Sequence, residues 1–175
     1  VTHAQSFHFV EATIDDIHVA LKSGDMTCRD IVSGYIDRIN YYDQDTKLNA
    51  ITVINRAALN RADEIDLALK NGDTLGPLYC APILVKDNYD THDLPTTGGS
   101  IALKDSYPPD DAFMVRKLRE ADAIVIAKTN MAEWAFSPRQ SKSSSFGTTA
   151  NAYDLSRVPA GSSGGTASGT AASFG

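Results

Sequence analysis

Two adjacent serines stand among three glycines in the stretch Arg157-Val-Pro-Ala-Gly-Ser-Ser-Gly-Gly-Thr166, a composition suited to placing backbone rather than filling a core. Glycine at 161, 164 and 165 permits positive φ and close approach of the main chain to a bound group, and Ser162 and Ser163 add two hydroxyls at that point. The small residues from Thr166 to Ala172 can pack as a tight helix, whose first amide N–H groups could face an anion or a polarised carbonyl. A flexible Gly/Ser linker is the plain alternative. Gly161-Ser-Ser-Gly-Gly165 also fits the G-x-S-x-G nucleophile elbow, which needs an apolar strand before it and a histidine after it. Asp154-Leu-Ser-Arg-Val-Pro159 is no strand, and His3, His8, His18 and His92 all lie upstream. A phosphate-cradling loop fails too, because no Gly-Lys-Ser/Thr follows the glycines.

If either serine were to act in catalysis, no histidine stands in place as its base, and a lysine would have to take that part. Two lysines stand at the exits of strand-like runs: Lys86 after Pro82-Ile-Leu-Val85, and Lys128 after Ala123-Ile-Val-Ile-Ala127. A free lysine near pKa 10.4 is protonated at neutral pH, so a working base must be desolvated and lowered by roughly 2–3 units. Asp87, next to Lys86, would work against this unless it points elsewhere.

The wider pattern resembles the amidase signature family, whose hallmark is a Gly-Gly-Ser-Ser-Gly-Gly-Ser stretch. Leu84-Val-Lys86-Asp-Asn88 lies 76 positions ahead of Ser162, and between them come Leu94-Pro-Thr-Thr-Gly-Gly-Ser100, Ala127-Lys-Thr-Asn-Met131 with Glu133, and Ser144-Ser-Phe-Gly147 with Asn151, Tyr153-Asp154 and Arg157. The resemblance is close from Gly76 to Thr166 and looser elsewhere. It implies amide hydrolysis by a Ser–cis-Ser–Lys triad through an acyl-enzyme, with Lys86 as general base and acid, ahead of its rival Lys128, and Ser162 as the bridging cis-serine. Ser163, Gly161 and Met131 become supporting or substrate-proximal positions. The resemblance also implies an α/β/α sandwich around a mixed, largely parallel sheet, with neither metal nor organic cofactor.

That family keeps its nucleophilic serine in a Gly-Gly-Ser-Ile-Arg segment further on, so the resemblance places it beyond residue 175 and implies that these residues are inactive alone. The expected partners are a small-molecule amide and a remaining C-terminal polypeptide, with a homodimer left open. Departures from the pattern are Tyr79-Cys80 for a common His-Gly, Ala152 for a common Pro and Ala160 for the first Gly. Two alternatives stand beside the amidase reading: the glutamine-hydrolysing subunit of a tRNA-dependent amidotransferase, and a non-catalytic fragment or interaction module.

Composition narrows the rest. With 42% hydrophobic residues in a chain of 175, there is enough apolar material for one domain with a real core, here read as a mainly helical segment to residue 72 and a signature core from 73 to 175. A net charge of −6 and the lack of any Lys/Arg run argue against direct nucleic-acid binding. No apolar run is long enough to span a membrane, and Phe7-His-Phe-Val10 lacks the flank and length of a signal peptide, so the chain reads as soluble. Cys28 and Cys80 suggest neither a disulfide scaffold nor a CxxC metal site and are read as separate buried thiols. The compartment stays open, with cytoplasm placed ahead of secretion.

The positioning elements follow from periodicity. Thr13 caps a helix with Ile14, Ile17 and Leu21 at helical spacing, stopped by Gly24, and Thr27-Cys-Arg-Asp30 opens a second carrying Ile31, Val32, Tyr35, Ile36 and Ile39. Leu48 to Ile54 reads as a strand, with Asn55 capping a third helix that ends at Asn71-Gly72. Asp110-Asp111 is read as the cap of a helix with Phe113 or Met114, Leu118 and Ala121 inward. Strand, helix, strand then makes a parallel βαβ unit across 82–127. Met131 to Phe136, with Trp134, can bury as a short helix or line an apolar substrate pocket, core packing being preferred, and the serine-rich 137–150 is expected to form a loop.

Overall fold

Two threonines, each followed three residues later by an aspartate, start the first two helices of the computed structural model, which describes residues 7–175 and so leaves His3 outside. Thr13 and Asp16 form a reciprocal capping box at the head of α1 (Ile14–Ser23), and Thr27 and Asp30 do the same for α2 (Cys28–Tyr42). Each box satisfies two backbone amides that the first helical turn would leave unpaired. Gly24 closes α1 in the left-handed conformation with φ 77, where a side chain would be strained.

At the end of α2, Asp43 is buried and accepts the amides of Ala50 and Ile51 at 2.7 and 3.3 Å. The turn is thereby tied to β1 (Ile51–Ile54). Asn55 is not the helix cap that its position suggests. Its Oδ1 accepts from Ala57 N and its Nδ2 donates to the Val125 carbonyl, so it fastens the chain to the neighbouring strand. The next helix, α3 (Ala58–Asn71), starts after Ala57 with no side-chain cap.

The sheet at the centre has the order β1, β3, β2, with β2 (Pro82–Lys86) parallel and β1 antiparallel to β3 (Ile124–Thr129). All six residues of β3 are buried, as a strand covered on both faces requires. One face packs a large core from α1, α2, α3 and Phe174, including Ile31, Ile65 and Ile126. The opposite face packs a smaller one of Val85, Leu94, Val115 and Val125 under α4 (Phe113–Glu120). Helical layers on both sides of a mixed sheet make the α/β/α sandwich. The connection from β2 through α4 to β3 is the expected βαβ unit.

Phase and capping of α4 differ from expectation. Val115 is its buried residue, whereas Phe113 and Met114 are 62% and 57% exposed. The cap position is Ala112, and Asp111 turns away to bind His92 and Arg119. Only one residue of this short helix is needed to cover the small second core.

The two cysteines are joined. Cys28 and Cys80 are both buried and form a disulfide with Cα atoms 5.7 Å apart, correcting the expectation of separate thiols. It ties the first turn of α2 to the loop that leads into β2. Trp134 is 61% exposed, not packed in the core; its residue has φ 53, which turns the indole out along Gly98. The serine-rich stretch holds a short hairpin, β4 (Lys142–Ser143) with β5 (Gly147–Thr148), pinned by Asn49 Nδ2 to Phe146 O and Thr149 Oγ1 to Asn49 O. The last element is α5 (Gly164–Ala171), the tight small-residue helix.

Candidate active site

Strand alternation decides which lysine meets the serines. Lys86 pairs with Thr129 and Val85 with Lys128 in the β2–β3 register, so the two lysines leave the sheet on opposite faces. Lys86 emerges on the face covered by α5, and there its Nζ donates to Ser162 Oγ at 2.7 Å. Burial holds Lys86 below the usual lysine range, because a partly desolvated ammonium is less favourable than the neutral amine.

Asp87 points the other way. It is 1% exposed and accepts from Thr97 N at 3.2 Å, from Thr97 Oγ1 and from Gly99 N at 3.4 Å. Lys128 Nζ stands 3.9 Å from it and donates to Tyr89 O at 2.7 Å, Thr96 Oγ1 at 2.7 Å and Thr91 Oγ1 at 3.1 Å. Burial brings Lys128 down to about 8, against the pull of Asp87, Asp90, Asp93 and Asp111. Lys128 is fully buried and occupied by acceptors.

Ser162 is held by its backbone. The Gly161–Ser162 peptide is cis, and the Ser162 carbonyl accepts from Ala132 N at 2.9 Å. Ser141 Oγ donates to Ala160 O at 3.0 Å and accepts from Gly164 N at 2.8 Å, bridging the two sides of the serine turn. Gly165 N then reaches Asn130 O at 3.0 Å. A Cβ on Gly165 would collide with the Asn130 backbone and come within 2.6 Å of Ala50 O. Close approach, not left-handed φ, is therefore what this glycine supplies. None of 161, 164 and 165 has positive φ; the left-handed residue here is Ala160, at φ 63.

Of the nominated residues, Lys86 and Ser162 touch, and the exposed Ser163 lines a groove of about 360 Å³ with Lys86, Asn88, Tyr89, Met114 and Thr166. Gly161 is a packing position, since a Cβ there would meet Gln140 O at 2.7 Å. Met131 is fully buried and does not line this groove; its neighbour Ala132 contacts the serine turn instead. Ser141 and Asn130 received no role from the sequence. Asn130 Oδ1 accepts from Ser143 Oγ at 2.8 Å and its Nδ2 donates to Gly147 O and Thr149 Oγ1 at 3.1 Å. Its position directly after β3, in a run whose hydrophobic pattern stops, was the available signal. Thr129 and Thr166 also share a hydrogen bond at 2.7 Å, coupling β3 to α5 beside Lys86.

Among the described residues, His92, Asp93 and Asp111 bring ligand-type atoms within 4.8 Å of one another. Arg119 lies 2.6 Å from Asp93 and 3.1 Å from Asp111, and His92 Nδ1 is 2.9 Å from Asp111. The guanidinium supplies the positive charge this cluster needs, so it reads as a structural ion-pair network.

A neutral Lys86 amine can take a proton from Ser162 Oγ, and Ser162 can take one in turn from a second hydroxyl brought to it, which is the chemistry of nucleophile activation. Comparison with known proteins bears on that arrangement. One glutamyl-tRNA(Gln) amidotransferase subunit, from Alkaliphilus metalliredigens, is 44% identical over 165 residues, covering 94% of this chain and 33% of that protein. The crystal structure of native peptide amidase from Stenotrophomonas maltophilia superposes with a TM-score of 0.89 at 36% identity, covering 96% of this chain and 35% of that one. An amidase family protein from Bacillus anthracis superposes with a TM-score of 0.87 at 34% identity, covering 95% and 34%. The chain thus spans about a third of the length of the relatives it matches. Because the Amidase family profile matches residues 30–175, well over half of the chain, the protein belongs to the amidase family, the amidase signature enzymes.

Proposed function

We propose that the intact protein hydrolyses a carboxylic amide, with Lys86 as general base and acid and Ser162 as its hydroxyl relay. The carrying observation is the 2.7 Å contact between Lys86 Nζ and Ser162 Oγ, made by a lysine whose neighbouring carboxylate is turned away. Lys86 in its neutral form takes the Ser162 proton while Ser162 takes that of the attacking hydroxyl. The proton returns by the same route to the leaving amine. In this reading the attacking serine lies in polypeptide beyond residue 175, and residues 1–175 do not turn over substrate alone. The whole chain forms the first portion of one longer amidase domain, with a small-molecule amide as ligand and Ser163 facing it. No cofactor takes part in these steps.

Lys86→Ala in the intact enzyme, assayed on a panel of linear amides, is expected to lower kcat/KM by about 10²–10⁴-fold, the usual contribution of a general acid–base group. Unchanged turnover would overturn the assignment.

Two alternative readings remain testable. The 44% identity to an amidotransferase subunit favours glutamine as substrate and a protein partner that receives ammonia. Glutaminase activity that rises with a co-purifying partner selects that reading; simple amide turnover by the isolated protein selects the first. A non-catalytic role follows if the intact protein turns over neither. The Cys28–Cys80 disulfide supports an oxidising compartment over the cytoplasm, because reducing pools keep cytosolic thiols apart. Thiol trapping of the protein in its native cells tests this.

A further inference from the structure

A lysine followed directly by an aspartate is a poor general base unless the aspartate is neutralised elsewhere, because a nearby negative charge holds the ammonium protonated. In this protein a second lysine lies on the aspartate's side of the sheet. Asp87 and Lys128 are 1% and 0% exposed and 3.9 Å apart. Lys128 also gathers the turn that follows, through Tyr89 O, Thr91 Oγ1 and Thr96 Oγ1, while Asp87 gathers its far end, through Thr97 N and Oγ1 and Gly99 N. The loop from 87 to 99 is thus folded around one buried ion pair, and it brings Asn88 and Tyr89 to the groove beside Lys86.

We propose that Lys128 is a positioning residue for the reaction: by neutralising Asp87 on the far face of the sheet and anchoring the 87–99 loop, it leaves Lys86 free of any carboxylate and aimed at Ser162. This rests on the amidase reading of Lys86. The groups involved can be named. Asp87, Asp90, Asp93 and Asp111 act on Lys128, and Asp93 and Asp111 are already bound by Arg119, with Asp111 also bound by His92. Asp87 is the carboxylate within ion-pair reach of Lys128. Burial is what acts on Lys86, and no charged partner does among the described residues. The Thr97 N, Thr97 Oγ1 and Gly99 N donors hold the Asp87 carboxylate on its own side of the sheet independently of Lys128.

The test compares Lys128→Met, Asp87→Asn and the double variant in the full-length protein. Removing the Lys128 charge leaves Asp87 uncompensated, so Lys86 keeps its proton to higher pH. The acid limb of kcat/KM should move up by about one pH unit, a tenfold loss at fixed pH below the limb. Asp87→Asn should move it down, and the double variant should bring it back towards the parent. Competitive labelling of Lys86 with trace acetic anhydride, read by mass spectrometry across pH, follows the same proton without needing turnover. The proposal is overturned if Lys128→Met lowers activity equally at every pH and the Lys86 labelling curve stays put. If Lys128→Met does not fold, an unmoved labelling curve in Asp87→Asn overturns it equally. Should Lys86→Ala leave turnover intact, the amidase reading fails, while the labelling shifts still decide whether Lys128 governs the Lys86 proton.

Discussion

Lys86 and Lys128 leave neighbouring parallel strands one register step apart, yet they are opposites in chemistry. Lys128 is fully buried, meets three oxygen acceptors and an aspartate, and falls further in pKa, to about 8. Lys86 is half-buried, falls less far, and meets one serine hydroxyl at the wall of a groove. Desolvation alone would rank Lys128 as the base. Geometry reverses that order, because a base must touch the proton it takes and be reached by substrate. A deeply buried lysine whose acceptors are all provided is instead a structural cation.

The contrast can be broken first by stability. Lys128→Met removes one partner of a buried ion pair and should cost about 3–5 kcal/mol in chemical denaturation. The same change at Lys86 should cost none. Equal losses at both positions would mean that the two lysines do the same structural work.

A second difference lies in their strands. β3 is bonded on both sides, while β2 is bonded on one side only in these residues, and its approach is held by the Cys28–Cys80 bridge. The bridge spans 52 positions, a loop for which chain-entropy arguments give about 4 kcal/mol of stabilisation. Reduction, or Cys28→Ala with Cys80→Ala, should lower stability by about that amount. Hydrogen exchange should rise in the 76–86 segment ahead of Lys86 and change little in β3. Protection lost equally from both strands would remove the distinction.

A third test concerns the serine side. Gly165→Ala drives a methyl into the backbone of Asn130 and Ala50, which must shift α5. Overpacking of this kind costs about 1–3 kcal/mol, and here it should also lower turnover by drawing Ser162 away from Lys86. An alanine variant with unchanged stability and activity would show that the close approach is not needed.

What could be read in advance follows from range. The capping boxes at Thr13 and Thr27 and the stop at Gly24 depend on residues within a turn or two, so the sequence shows them. The pairing of Lys86 with Ser162 across 76 positions became legible through the family resemblance, not through local pattern. The disulfide was not legible, because two lone cysteines carry no information about which surfaces meet. Phe113 or Met114 is expected inward on hydrophobicity alone, but the core under α4 takes Val115 instead. Trp134 escaped for a similar reason: its left-handed backbone turns outward a side chain whose composition argues for burial. The glycines at 161, 164 and 165 are read from the sequence as sites of positive φ and of close approach to a bound group; none has positive φ, and the close approach they make is to the protein's own atoms.

The smallest effect is also the one that separates the two lysines most cleanly. Burial lowers the Lys86 pKa in the folded state relative to the unfolded chain. Below the folded pKa the charge is carried in both states but is less favourable in the folded one. As pH rises through the folded pKa, the folded state sheds this proton first and the penalty disappears. Lys86→Met should accordingly raise stability slightly at pH 7, and the gain should shrink as pH climbs towards the unfolded lysine pKa of about 10.4. A site that gives up stability to hold a neutral amine is what a lysine base requires. Thermal melts of parent and variant across that range check it, and a Lys86→Met protein less stable than its parent at pH 7 would mean that Lys86 is held in place as a charged structural contact, as Lys128 is.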